Sequence, residues 1–163
     1  MAIRIIGVDP GMARVGYGVV EREGAIVRAV AFGVIETEPG PLPDRLNTLY
    51  DRFWNLLETY RPDRAAVEQL FFGHNAPTAL SVGQARGVVL LALARYGLPV
   101  LELKPAVVKQ AVAGWGKADK VQVQRMVTRL LGLDAVPRPD DAADALAVAW
   151  CAVGHMDTRR TAP

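Results

Sequence analysis

The stretch IRIIGVDPG, residues 3–11, is an apolar run that ends on a carboxylate, Asp9, and then turns at Pro10 and Gly11. Apart from Arg4, residues 3–8 are apolar on both alternating faces. That pattern predicts a central strand covered on both sides. Pro10 sets φ and Gly11 permits tight geometry, so DPGMARVG reads as turn chemistry. By itself an Asp here is an ordinary turn residue.

Moving outward, VGYGVVE (15–21) and AIVRAVAFGVIE (25–36) read as two more strands. Short turns between the three make an antiparallel meander. After EPGPLP, the residues Leu42, Leu46, Leu49, Phe53, Leu56, Leu57 and Tyr60 recur at helical spacing and predict one long amphipathic helix. RAAVEQ (64–69) reads as a short strand, and its helical connection places it parallel to the first. A helix rich in small residues follows over 77–96, stopped by Gly97, then a fifth strand at PVLEL (99–103). Helices begin near Pro105, Ala118 and Asp140. This order predicts an α/β fold, a five-stranded mixed β-sheet flanked by α-helices. Residues 1–155 read as a single domain and 156–163 as a short flexible C-terminal tail.

The chain has 163 residues, 51% of them hydrophobic, enough for one full core. Cys151 is the only cysteine and has no internal disulfide partner, which points to a reducing compartment. AIRIIGV runs straight into DPG and does not read as a signal peptide. The longest strongly apolar stretch, GVVLLALA (87–94), falls short of the roughly 18 residues of a membrane span. The expectation is a cytoplasmic protein with no membrane partner.

Net charge is +2, from 19 basic and 17 acidic side chains. Between Lys104 and Arg129 stand Lys104, Lys109, Lys117, Lys120, Arg125 and Arg129 against a single acid, Asp119. Such a local excess suits a polyanionic partner; a solvated helix surface is the plainer alternative.

Two further carboxylate groups stand out. Glu68 ends an apolar strand, where a charge is costly unless paired or coordinated. In PDDAADALAVAW (139–150), Asp140 and Asp141 suit a helix start. Asp144 continues instead into ALAVAW, which is apolar all round. Asp141 and Asp144, three apart, project from nearly one face. If the first and fourth strands are neighbours, Asp9 and Glu68 sit side by side, and the last helix can lay Asp141 and Asp144 against the same sheet end. Without a cation, at least one of these carboxylates would hold a proton near neutral pH. All-oxygen ligands suit hard Mg²⁺ or Mn²⁺. Two such ions about 4 Å apart serve phosphodiester hydrolysis.

GVDPG…GYGV, AVEQLFFGHNAPTALSVGQARGV, VKQAVAGWGKADKVQVQRMV and DAADALAVAW, in that order over residues 3 to 153, resemble the RuvC family of bacterial Holliday junction resolvases. The resemblance implies an RNase H-like nuclease fold and a homodimer that nicks two opposing strands of a four-way DNA junction. It implies Mg²⁺ as cofactor, two ions per active site, with Mn²⁺ as a substitute. It places the catalytic and metal-binding positions on Asp9, Glu68, Asp141 and Asp144; some relatives carry His where this chain has Asp141. It places DNA contacts on Phe71, Lys109 and Lys120. Lys117 is a further candidate phosphate contact, with a solvated side chain as the simpler reading. The branch-migration proteins RuvA and RuvB are implied as partners. Phe72 reads as a core aromatic, His74 as a surface residue and Asp140 as a helix cap. Trp115, between two glycines, marks a candidate loop that orders on DNA.

Three other readings compete. An RNase H-like nuclease acting on RNA keeps the fold, but the order and extent of the matching segments disfavour it. An actin-like ATPase or sugar kinase needs two such halves, and the chain has room for one. A non-catalytic junction-binding scaffold would leave four carboxylates repelling DNA. Setting those four aside leaves 13 acidic against 19 basic residues, a cationic remainder suited to DNA.

Overall fold

The structure, a computed structural model, describes residues 1–70 and 76–158. The elements are β1 (Ile3–Asp9), β2 (Arg14–Glu23), β3 (Ile26–Glu36), α1 (Leu42–Tyr60), β4 (Arg64–Glu68), α2 (Ala76–Tyr96), β5 (Val100–Leu103), α3 (Pro105–Ala113), α4 (Lys120–Leu130) and α5 (Asp140–Thr158). The expected order is reproduced, with boundaries moved by a few residues. β2 gains most, because pairing to β1 and β3 continues from Arg14 to Glu23. Gly24, at φ 61, closes the β2–β3 hairpin in a backbone conformation that favours glycine. α5 runs through Thr158, so residues 156–158 extend this helix; Met156 packs against the core.

The strands lie in the order β3-β2-β1-β4-β5. β1, β2 and β3 pair antiparallel, whereas β1–β4 and β4–β5 are parallel. β1 is central and covered on both faces. Ile6 and Val8 pack with Phe53 and Leu57 of α1 and Val89 and Leu93 of α2. Ile5 faces the other way, into a core built with Leu146 and Ala149 of α5, Val108 of α3 and Val127 of α4. The period-two alternation of a strand sends neighbouring residues into opposite cores.

One element departs from expectation. α2, with 21 residues, is long and apolar enough by length and composition to cross a membrane, although no such stretch was anticipated. In this fold its residues Ala79, Ala85, Val89, Ala92 and Leu93 are buried instead, while Leu80 and Leu91 stand 64% and 53% exposed.

Candidate active site

β1 and β4 run in parallel with Val8 beside Val67, so Asp9 and Glu68 leave the sheet next to each other. On its other side Asp9 faces Gly16 of β2. α5 crosses β1 and β2 directly above these ends. It comes close because three strand glycines lie beneath it. A Cβ on Gly16 would sit 2.1 Å from the Asp141 carbonyl oxygen, one on Gly7 2.3 Å from the Ala145 oxygen, and one on Gly18 2.8 Å from the Leu146 nitrogen. Gly7 and Gly18 are themselves cross-strand partners. This glycine floor lowers the first turn of α5 onto the sheet end that carries Asp9. It was missed in the sequence; its trace there is glycine at alternate positions of a strand, where side chains normally pack.

The electrostatics record the convergence. Burial, then the charges of Glu68, Asp144 and Asp141, push the Asp9 carboxyl up to about 8. At neutral pH Asp9 therefore holds a proton, and its carboxyl is hydrogen-bonded to Glu68. Burial raises Glu68 as well, opposed by the bond from Asp9 and by the positive charges of Lys109 and Lys120. Burial also raises Asp144, opposed by Lys120.

Lys120 reaches this cluster directly. Its Nζ lies 3.3 Å from an Asp144 carboxylate oxygen and 3.5 Å from one of Asp140. Asp140, expected as a helix cap, accepts a 2.7 Å hydrogen bond from Arg138 Nη1 as well, and so anchors Lys120 over the site. Lys109 on α3 is half-buried, and Lys117 is exposed in the loop before α4. Phe71, Phe72 and His74 lie outside the described residues.

Arg86 of α2 is a second residue not singled out in the sequence. It shares a cavity of about 170 Å³ with Asp9 and Glu68. Its Nε donates to the Glu68 carbonyl oxygen at 3.4 Å and its Nη2 pairs with the Glu102 carboxylate. The guanidinium thus ties α2 to the ends of β4 and β5.

Among the described residues no three acidic, histidine or cysteine side chains close into a metal-holding group in this arrangement. A shared proton compensates Asp9 and Glu68, and an ammonium compensates Asp144. The donor set is nonetheless wholly carboxylate oxygen, which suits a hard divalent cation. Burial raises Asp9 most, and the negative charge of Glu68, Asp144 and Asp141 that adds to it is what such a cation would neutralise.

The profile of the crossover junction endodeoxyribonuclease RuvC family matches residues 5–152. A protein named crossover junction endodeoxyribonuclease RuvC from Chloroflexus aggregans is 59% identical over 150 residues, covering 91% of this chain and 92% of that one. Thermus thermophilus RuvC superposes with a TM-score of 0.87 at 38% identity, covering 96% of this chain and 97% of that one. The same protein in complex with Holliday junction substrate superposes with a TM-score of 0.91 at 38% identity, over 96% of each chain.

Proposed function

The chain belongs to the RuvC family of crossover junction endodeoxyribonucleases, and from that premise we propose that Asp9, Glu68, Asp141 and Asp144 form its catalytic centre. The enzyme has the RNase H-like fold and resolves Holliday junctions by cleaving DNA. The observation that carries the site assignment is Asp9, half-buried at a strand end beside Glu68 and driven up to about 8 by desolvation and by the charges of Glu68, Asp144 and Asp141. Residues 1–155 act as one nuclease domain.

The family is metal-dependent, and the proposed cofactor is Mg²⁺, two ions per site, with Mn²⁺ able to substitute. The four carboxylates would hold it. When bound, it supplies a water of lowered pKa and neutralises charge on the leaving oxygen. The protein's own groups do the rest. Glu68 and Asp9, fixed by adjacent parallel strands, hold their oxygens at one edge of the site. α5 brings Asp141 and Asp144 from above. Lys120 and Lys109, whose positive charges are both felt at Glu68, would meet the scissile phosphate once Lys120 leaves Asp144. Lys117 extends that cationic path. Phe71 stacks on a base at the opened crossover, where unpairing costs least.

Two opposing strands must be cut symmetrically to leave ends a ligase can seal, so the working unit is a homodimer with one site facing each strand. The exposed apolar ridge of α2 supports that assembly. RuvA and RuvB are the proposed branch-migration partners, and the cytoplasm the proposed compartment.

Asp9→Asn tests the site. The substitution keeps size but removes a ligand, and with it the charge that Asp9 would carry once a cation takes the place of its proton. Cleavage of a junction labelled on each strand in turn is expected to vanish while junction binding is kept or tightened. Binding of Mn²⁺, followed by its EPR signal, is expected to weaken in parallel. Cleavage near the wild-type rate would reject the four-carboxylate centre.

A further inference from the structure

A second cationic feature lies away from the carboxylates. The outer face of α4 and the 114–116 loop enclose an open groove of about 500 Å³, walled by Trp115, Arg125, Met126, Arg129 and Val136. Trp115 is 49% exposed, whereas Trp54 and Trp150 are half-buried within the fold. Its loop is shaped by Gly114 at φ 86, a conformation that favours glycine.

Arg125 and Arg129, four residues apart, project from one side of α4. They stand about 6 Å apart along the helix axis, close to two nucleotide steps of a DNA strand at about 3.4 Å each. Among the described residues neither guanidinium has a hydrogen-bond or ion-pair partner. None of the described acidic residues lines the groove. Of the two nearest acids in sequence, Asp134 does not line the groove and makes no ion pair among the described residues, and Asp119 accepts from the amide of Gln122 in the capping box of α4. An exposed indole beside two uncompensated guanidinium groups is an unusual surface to leave to water. It suits a ligand with regularly spaced negative charge and a flat apolar edge. The groove also belongs to the loop and helix that carry Lys117 and Lys120, so it continues the cationic path out of the active site.

We propose that this groove is a second DNA contact, which grips the phosphate backbone of a junction arm while Trp115 packs against its sugars. This rests on the junction-cleaving activity and adds a binding element to it. Arg125 and Arg129 neutralise two phosphates. They act on binding, and the chemistry at the carboxylates does not involve them.

The test uses the full-length chain and a four-way junction. In Arg125→Ala/Arg129→Ala the slope of log affinity against log salt is expected to fall by about 1.8, since each lost duplex phosphate contact removes about 0.9. The cleavage rate at saturating junction is expected to stay at the wild-type value. Junction binding is expected to shield wild-type tryptophan fluorescence from iodide, and Trp115→Phe to lose that shielding. An unchanged slope, or a Trp115 equally open to iodide with and without junction, would overturn the proposal. So would polyglutamate binding at the groove with junction affinity unaltered in the double variant, which would make it a site for an acidic protein. If the wild type cuts no junction, the proposed function itself fails; if it cuts normally and only the slope is unmoved, this inference alone fails.

Discussion

At Gly16 one methyl group decides whether α5 can reach the sheet. Its Cβ would lie 2.1 Å from the Asp141 carbonyl oxygen and 2.6 Å from the carbonyl carbon. Those are backbone atoms at the start of a helix, with no side-chain rotation to relieve the overlap. Gly16→Ala is therefore expected to cost about 1–3 kcal/mol by overpacking, read from urea unfolding, and to lower cleavage because Asp141 is displaced. Gly40→Ala, whose Cβ would meet none of the described residues within 4 Å, serves as the silent control. Arg86 acts at the same scale through Glu68. Arg86→Ala should leave junction affinity near wild type and lower the cleavage rate and Mn²⁺ affinity by about 10–100-fold, the usual range for a residue that supports ligands from behind. Equal Mn²⁺ affinity in both proteins would show that Arg86 does not position Glu68.

At the scale of elements, Glu21 ties the meander together. Arg4 and Arg28 are its cross-strand partners on β1 and β3, and they reach its carboxylate at 2.8 and 2.6 Å. Glu21 is only 8% exposed. Hydrogen bonds from Arg28 and then Arg4 hold its carboxyl below the ordinary value of 4.5. A carboxyl depressed in the folded state stabilises the fold above its unfolded value and loses that contribution as pH falls through the folded one. Wild-type stability should therefore decline as pH drops below about 4.5, and Glu21→Gln should decline less over the same window in chemical denaturation. Equal acid sensitivity in both proteins would show that the triplet contributes nothing to it. α4 illustrates a different local device, in which Asp119 and Gln122 exchange bonds to start the helix. That reciprocal cap holds the backbone at Lys120, the residue that enters the site.

For the whole molecule, the face of α2 turned away from the sheet is the feature a monomer explains least. Leu80 and Leu91 are 64% and 53% exposed on a helix whose other side is packed against the core. With Gly87 between them, they form a ridge that a second copy could approach closely. Leu91→Glu is expected to give a monomer in sedimentation and to abolish the paired, ligatable cuts in opposing strands. A Leu91→Glu dimer that still cuts both strands would place the interface elsewhere. Because Arg86 lies on this helix, a dimer formed through α2 would also steady the backbone at Glu68.

What the sequence determined by itself was set by short-range pattern. The two-sided apolar character of residues 3–8 identified a central strand, and Ile5 and Ile6 do enter opposite cores. The isolated charges of Asp9 and Glu68 at strand ends, and of Asp144 in an all-apolar helix, were legible because burying a carboxylate is costly enough to be conspicuous. The tertiary structure alone decided how these groups are balanced. Lys120 pairs with Asp144 and Asp140 across a helix crossing, and Arg86 meets Glu68 from 18 residues away. Such contacts depend on the approach of α5 to the sheet, which three glycines permit and no local periodicity reports. The same holds for α2, whose composition alone would suit a membrane and whose packing makes it a core helix with one free face. Periodicity says which residues share a face; only the packed fold says what that face meets.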